Sequence, residues 1–170
     1  REQSLARAEE GADRMHRTLE QLLLLARVEG SLSFDDGVQC SAEQVAKLAM
    51  QDAAGGERQR IKLHLPKQLS SAPVQMPAVL SIAALRNLLD NALRHTPADA
   101  EVELSLETVG QRACFVVRDH GPGIAAEDLQ HLTQRFWRNG QSTGCGLGLA
   151  IVQAIAQAHG ATVVLGTSPR

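Results

Sequence analysis

The stretch "STGCGLGLAIV" (142–152) constrains the fold more than any other part of the chain. Gly144, Gly146 and Gly148 stand at alternate positions and run directly into an apolar segment. Glycines so spaced let backbone approach a phosphate, since they carry no side chain and tolerate positive φ. Two phosphate-binding folds can be set aside. A dinucleotide fingerprint needs a strand immediately before G-x-G-x-x-G, whereas here the polar "RNGQSTG" precedes a G-x-G-x-G spacing. Only one strand-like segment follows, so no βαβ unit can be completed. The Walker pattern, with Lys directly after its last glycine, is absent as well.

Composition narrows the class. The 170 residues are 44% hydrophobic and 21% charged, which describes a folded domain with room for an appendage. A net charge of −2 and an aromatic share of 2% provide neither a basic face nor stacking platforms, so no nucleic-acid partner is expected. Cys40, Cys114 and Cys145 are odd in number and unclustered, which supports neither a zinc site nor a disulfide framework and fits a reducing compartment. The run "LLLLA" (22–26) is far too short to span a bilayer, and no signal peptide opens the chain. The polypeptide is expected to be soluble and, opening on Arg1 rather than Met, to be a fragment.

Periodicity then divides the chain. Leu5, Ala8, Ala12, Met15, Leu19, Leu22 and Ala26 follow a 3,4 spacing, which predicts one long helix over 1–29 with an apolar seam. Such a helix is expected to belong to a dimerising hairpin or bundle rather than to dock on its own domain. "SLSFDDGVQC" (31–40) reads as a strand with a turn, and "SAEQVAKLAMQDA" (41–53) as a helix capped by Ser41. "RIKLHL" (60–65) alternates like a half-buried strand, and "APVQMP" (72–77) reads as a short one. A helix is predicted from Ala78 to His95, stopped by Pro97. Residues 100–110 and 111–120 form an antiparallel pair turning near Gly110, and 121–143 are irregular. A helix over 146–160 ends at Gly160, and "ATVVLG" (161–166) is a last strand. Helices and hairpins mix without strict alternation, so the expected class is an α+β two-layer sandwich.

Four segments carry chemistry. In "LRNLLDNALRHTP" (85–97), Ile82, Leu85, Leu89, Ala92 and Leu93 share one helix face, while Asn87, Asn91, Arg94 and His95 share the opposite one. Amphipathicity alone explains most of this, yet asparagine is a poor mid-helix residue, and two stand one turn apart. An asparagine oxygen is a neutral ligand suited to Mg²⁺ already balanced by phosphates. In "VVRDHGPGI" (116–124), Asp119 ends an apolar strand and can accept from an adenine amino group, with Gly121 and Gly123 letting a flat base lie against backbone. In "RFWR" (135–138), Phe136 is expected to pin a loop to the core, leaving Arg135 and Arg138 to reach phosphate. The glycine stretch is the fourth.

In this order and at these separations the segments resemble the N, G1, F and G2 boxes of the nucleotide-binding domain of bacterial sensor histidine kinases. That domain has the Bergerat ATP fold, shared with gyrase-type topoisomerases, Hsp90 chaperones and mismatch-repair ATPases. The resemblance covers about 32–168, and "MHRTLEQLLLLARVEG" (15–30) resembles the second helix of the kinase dimerisation hairpin. It implies two parts, 1–30 from the hairpin and 31–170 as the catalytic ATP-binding domain, with a mixed sheet and three main helices. It assigns Mg²⁺ chelation on ATP to Asn91 with Asn87 assisting, phosphate contact to Arg94, a place beside base or sugar to His95, and adenine reading to Asp119. Gly121, Gly123, Gly144, Gly146 and Gly148 match hinge and phosphate-loop glycines; Ile124, Arg138, Leu147 and Leu149 complete the expected ATP site.

Hydrolysing members of that superfamily place Glu where this chain has Asn87. Water attack therefore lacks its general base, and Asp90, about 100° around the helix from Asn91, is not expected to substitute. Transfer of the γ-phosphoryl group to a protein histidine is expected instead, for relay to a response-regulator receiver domain. No H box follows His16 or any other histidine here, so the acceptor is expected outside this fragment. The resemblance further implies a homodimer through the hairpin, membrane attachment only through segments absent here, and location as the cytoplasmic portion of a bacterial inner-membrane protein. The alternatives are a nucleotide-binding pseudokinase or scaffold module and a Bergerat ATPase.

Overall fold

The computed structural model describes residues 2–30, 40–110, 112–138 and 145–167, with the side chains of 2–10, 13, 14 and 54–56 left aside. The chain runs through α1 (Glu2–Glu29), α2 (Ala42–Asp52), a 3₁₀ segment (Ala54–Arg60), β1 (Ile61–His64) and α3 (Lys67–Ser70). It continues through α4 (Ala78–His95), β2 (Val102–Val109), β3 (Arg112–Arg118), α5 (Ala126–Leu129) and α6 (Gly148–Ala158). β2 is the central strand of a mixed three-stranded sheet, parallel to β1 with Ile61 opposite Val102 and antiparallel to β3 with Leu104 opposite Val117.

Local chemistry sets these boundaries. Ser41 caps α2 by a reciprocal capping box with Gln44, which satisfies two backbone amides that would otherwise lack partners. α4 stops at His95 because Thr96, preceding Pro97, takes an extended backbone. Gly110 turns the β2–β3 hairpin at φ 64°, and Gly160 follows α6 at φ 65°. β2 alternates buried Val102, Leu104 and Leu106 with half-buried neighbours, as a strand with one face on helices must.

The helices cover the sheet from one side in a second layer, so the α+β sandwich expected from the sequence is the fold found. One apolar cluster joins α2, α4 and the sheet through Val45, Ala49, Leu85, Leu89, Val102 and Leu104. The residues expected on the inner face of α4, Leu85, Leu89, Ala92 and Leu93, are all buried there, and Ile82 packs against them. A second cluster joins α1, α4 and α6 through Leu25, Val28, Leu80, Leu147, Ile151 and Ile155.

That second cluster revises the expectation for the first helix. α1 does dock on its own domain, by its last two turns. Its seam stays outward, since Met15, Leu19 and Leu22 are exposed. Residues 161–167 form no strand, contrary to the reading of "ATVVLG", and "APVQMP" contributes only one isolated bridge, Ser41 to Pro73. β-propensity reflects packing against neighbours, and Val164 is exposed with none to pack on. The expected strand over 31–40 lies outside the described residues except Cys40. Among the described residues no helix is long and apolar enough to cross a membrane.

Candidate nucleotide site

A cleft with a cavity volume of about 130 Å³ opens where α4, the end of the 121–138 segment and the start of α6 converge. α4 supplies Asn87, Asn91, Arg94 and His95, four of the residues expected on its polar face. Ile124 and Arg138 line it from the irregular segment, and Gly146, Gly148 and Leu149 line it from the glycine turn. All four of the sequence segments singled out above thus supply groups to one concavity.

The turn is shaped by backbone contact. Gly146 has φ 71°, and a Cβ placed there would stand 2.6 Å from the carbonyl oxygen of Trp137. The Phe136 amide donates to the Gly146 carbonyl at 2.9 Å, so the RFWR and glycine segments are stitched main chain to main chain. Gly148 opens α6 directly against α4, where an added Cβ would lie 3.2 Å from Asn87 Oδ1. The amide groups at the start of an eleven-residue helix therefore sit beside the asparagines of α4.

Asn87 is more enclosed than a simple polar face implies, at 3% exposure. Its Nδ2 donates to the Ala83 carbonyl at 2.8 Å, and its Oδ1 accepts from Gln21 Nε2 at 3.0 Å. Gln21 Oε1 in turn accepts from the Cys145 thiol at 2.9 Å. Gln21 and Cys145 both line the cleft, as do Asp90, Leu132 and Trp137. None of these five was picked out by sequence as a site residue. Asp90, which is not expected to act as a general base for water, still lines the cleft, since a cleft wrapped around a helix takes residues across an arc of about 100°. Trp137 neighbours a singled-out aromatic, whereas Gln21 is 66 residues from Asn87 and carries no local signal.

The remaining expected residues stand around the cleft rather than on its wall. Asp119 is exposed, and its Oδ1 accepts from the Gly121 amide at 2.9 Å. Gly121 packs against the end of α4, where a Cβ would come 2.7 Å from the His95 carbonyl oxygen. Gly123 follows at φ 82°. Leu147 is fully buried in the second apolar cluster and braces the turn from beneath. Gly144 lies outside the described residues.

Two expectations for RFWR are corrected. Phe136 is 60% exposed at φ 62° and does not pin the loop; the backbone bond to Gly146 does, with Trp137 stacked on His131 at 6.4 Å. Arg135 is paired with Glu29 of α1 instead of reaching into the cleft, because the docked helix brings a carboxylate beside it.

Similarity to known proteins agrees with this geometry. Residues 80–170 match the family model described as histidine kinase-, DNA gyrase B-, and HSP90-like ATPase. The sensor protein QseC of Salmonella typhi is 38% identical over 173 residues, covering 99% of this chain and 37% of that protein, so the chain spans little over a third of this relative. The Acinetobacter baumannii histidine kinase AdeS superposes with a TM-score of 0.68 at 28% identity, over 91% of this chain and 72% of that one. The histidine kinase domain of the E. coli osmosensor EnvZ gives 0.56 at 34% identity, over 76% of this chain and 80% of that one. The chain belongs to the histidine kinase-, DNA gyrase B- and HSP90-like ATPase family, and its kinship there is with the catalytic ATP-binding regions of bacterial sensor kinases.

Proposed function

We propose that the cleft binds Mg²⁺-ATP and that the chain transfers the γ-phosphoryl group to a histidine lying outside it, for relay to a response-regulator receiver domain. The observation that carries this reading is the convergence of Asn91 and Arg94 with Gly146, Gly148 and Arg138 on one wall. Arg94 and Arg138 supply positive charge to phosphate oxygens, and the glycine turn lets them approach main chain. Asp119, Gly121 and His95 are proposed to hold the base end, and Asn87, Ile124 and Leu149 to complete the pocket.

Asn91 fits a magnesium ion. Mg²⁺ takes one or two protein oxygens and completes its shell with water and phosphates, and among the described residues no cluster of acidic, histidine or cysteine side chains offers a dedicated cage. When bound, the ion neutralises charge across the phosphates. The chain's own part is to orient the triphosphate and exclude water around it. A neutral imidazole nitrogen attacks the γ-phosphorus, the bond to the β–γ bridging oxygen breaks, and ADP leaves. Asn87 has no carboxylate with which to activate water, which favours transfer over hydrolysis.

The exposed seam of Met15, Leu19 and Leu22 supports a homodimer through the helical hairpin. Kinship with named sensor proteins supports a cytoplasmic placement behind a membrane segment, with 1–30 as hairpin and 31–170 as catalytic domain. The test is transfer of label from γ-labelled ATP to a separately added hairpin bearing an acceptor histidine. Label on the hairpin is expected, and none despite firm ATP binding would overturn the kinase reading. Asn91→Ala is expected to abolish Mg²⁺-dependent binding.

A further inference from the structure

Gln21, Leu25 and Val28 recur at i, i+4 and i+7, and so share one face of α1. Leu25 and Val28 are buried against Leu147, Ile151 and Ile155, under the turn that forms the cleft. Gln21 enters the cleft itself, and Glu29 pairs with Arg135, two residues before the cleft-lining Trp137. Three independent contacts thus hold α1 against the same small region.

The middle of this arrangement is a closed run of hydrogen bonds. The Cys145 thiol donates to Gln21 Oε1 at 2.9 Å, Gln21 Nε2 to Asn87 Oδ1 at 3.0 Å, and Asn87 Nδ2 to the Ala83 carbonyl at 2.8 Å. Asn87 is thereby enclosed between Gln21 and Gly148, with its oxygen occupied by protein. The cleft so walled holds about 130 Å³, against roughly 300–1,000 Å³ for a pocket that encloses a ligand of this size. A nucleotide entering the cleft would meet the Gln21 amide on its wall and an Asn87 oxygen already held by it.

We infer that α1 is an intramolecular competitor for the nucleotide cleft, with the Gln21 amide as the plug. This rests on the nucleotide-binding reading and adds a competing contact to it. The outer seam of α1 is a separate face, so the helix can hold a partner and still be released from the cleft. Linkage makes the effect reciprocal: docking weakens nucleotide binding by the factor by which nucleotide weakens docking.

The test is calorimetric titration of Mg²⁺-ATP into the wild-type chain, Gln21→Ala and Glu29→Ala, with hydrogen exchange followed over residues 21–29. Loss of one hydrogen bond of about 1 kcal/mol corresponds to about fivefold. Gln21→Ala, which removes two such bonds, is therefore expected to bind at least about fivefold tighter, and Glu29→Ala, which loosens a separate exposed grip, to bind tighter by less. Saturating Mg²⁺-ATP is expected to speed exchange over 21–29 in the wild type. Equal or weaker binding by Gln21→Ala, with exchange unchanged by nucleotide, would overturn the competition alone. No binding by any of the three chains would overturn the nucleotide-site reading and the competition with it.

Discussion

The Phe136 amide nitrogen donates to the carbonyl oxygen of Gly146 at 2.9 Å, across an interval of ten residues. This bond joins the segment that carries Trp137 and Arg138 to the turn that opens α6. Both partners adopt positive φ, 62° for Phe136 and 71° for Gly146. Strain of this kind in a non-glycine residue persists where surrounding structure imposes it, and such positions gather at functional sites.

Gly146→Ala is expected to be among the most damaging single changes at the site. The new Cβ would meet the Trp137 carbonyl oxygen at 2.6 Å and the Phe136 carbonyl carbon at 2.7 Å, both main chain and unable to swing aside. The left-handed backbone alone costs about 1–2 kcal/mol. A loss of at least 2 kcal/mol, to about 4 kcal/mol, should appear in urea unfolding, with ATP affinity falling more than tenfold by calorimetry. Gly110→Ala, which meets nothing within 4 Å, should cost only the backbone contribution.

Gly121→Ala probes the joint between α4 and the Asp119 loop. Its Cβ would press on the His95 carbonyl at 2.7 Å and on Asp119 Oδ1 at 2.9 Å. Displacement of the loop should weaken nucleotide binding several-fold, and the loss should be larger for ATP than for inorganic triphosphate if this loop holds the base. Competition titrations with the two ligands measure that difference.

Leu147 and Leu149 stand two residues apart and should fail differently. Leu147 is fully buried among Leu25, Leu80, Ile151 and Ile155, so Leu147→Ala is expected to cost about 2–5 kcal/mol of stability. Leu149 faces the cleft, so Leu149→Ala should instead weaken ATP binding with a smaller change in the unfolding midpoint. Paired urea and binding curves separate the two outcomes.

Arg60 holds the turn after α4. Its guanidinium donates to the carbonyls of Thr96 at 3.1 Å, Pro97 at 2.6 Å and Ala100 at 3.2 Å, and it pairs with Glu57. Arg60→Ala should destabilise by about 2–4 kcal/mol, since each charge-assisted bond contributes about 1.5–3 kcal/mol and the losses overlap. Arg60→Lys should recover little, because a point charge cannot address three carbonyls at once. Urea denaturation of both variants checks this.

Much of this protein was legible in its sequence. The bounds of α4 follow from apolar spacing and Pro97, those of the β2–β3 hairpin from alternation around Gly110, and the start of α2 from Ser41. Asn91, Gly146 and Gly148 stand out because their chemistry is unusual for the element that carries them, Arg94 is singled out by the resemblance, and all four line the cleft. These are local signals: periodicity, capping and steric freedom act over a few residues and leave a mark in the chain.

The tertiary structure alone decided the rest. The unpaired course of 161–167, the burial of Leu147, the pairing of Arg135 with Glu29 and the entry of Gln21 into the cleft join segments far apart in the chain. Periodicity identifies an apolar face on α1 without naming the surface that covers it. Two faces were available, and packing chose to seat Leu25 and Val28 on α6, leaving Met15, Leu19 and Leu22 outward. That choice depends on shape complementarity between distant elements, a property of the folded surface that no local pattern of residues encodes.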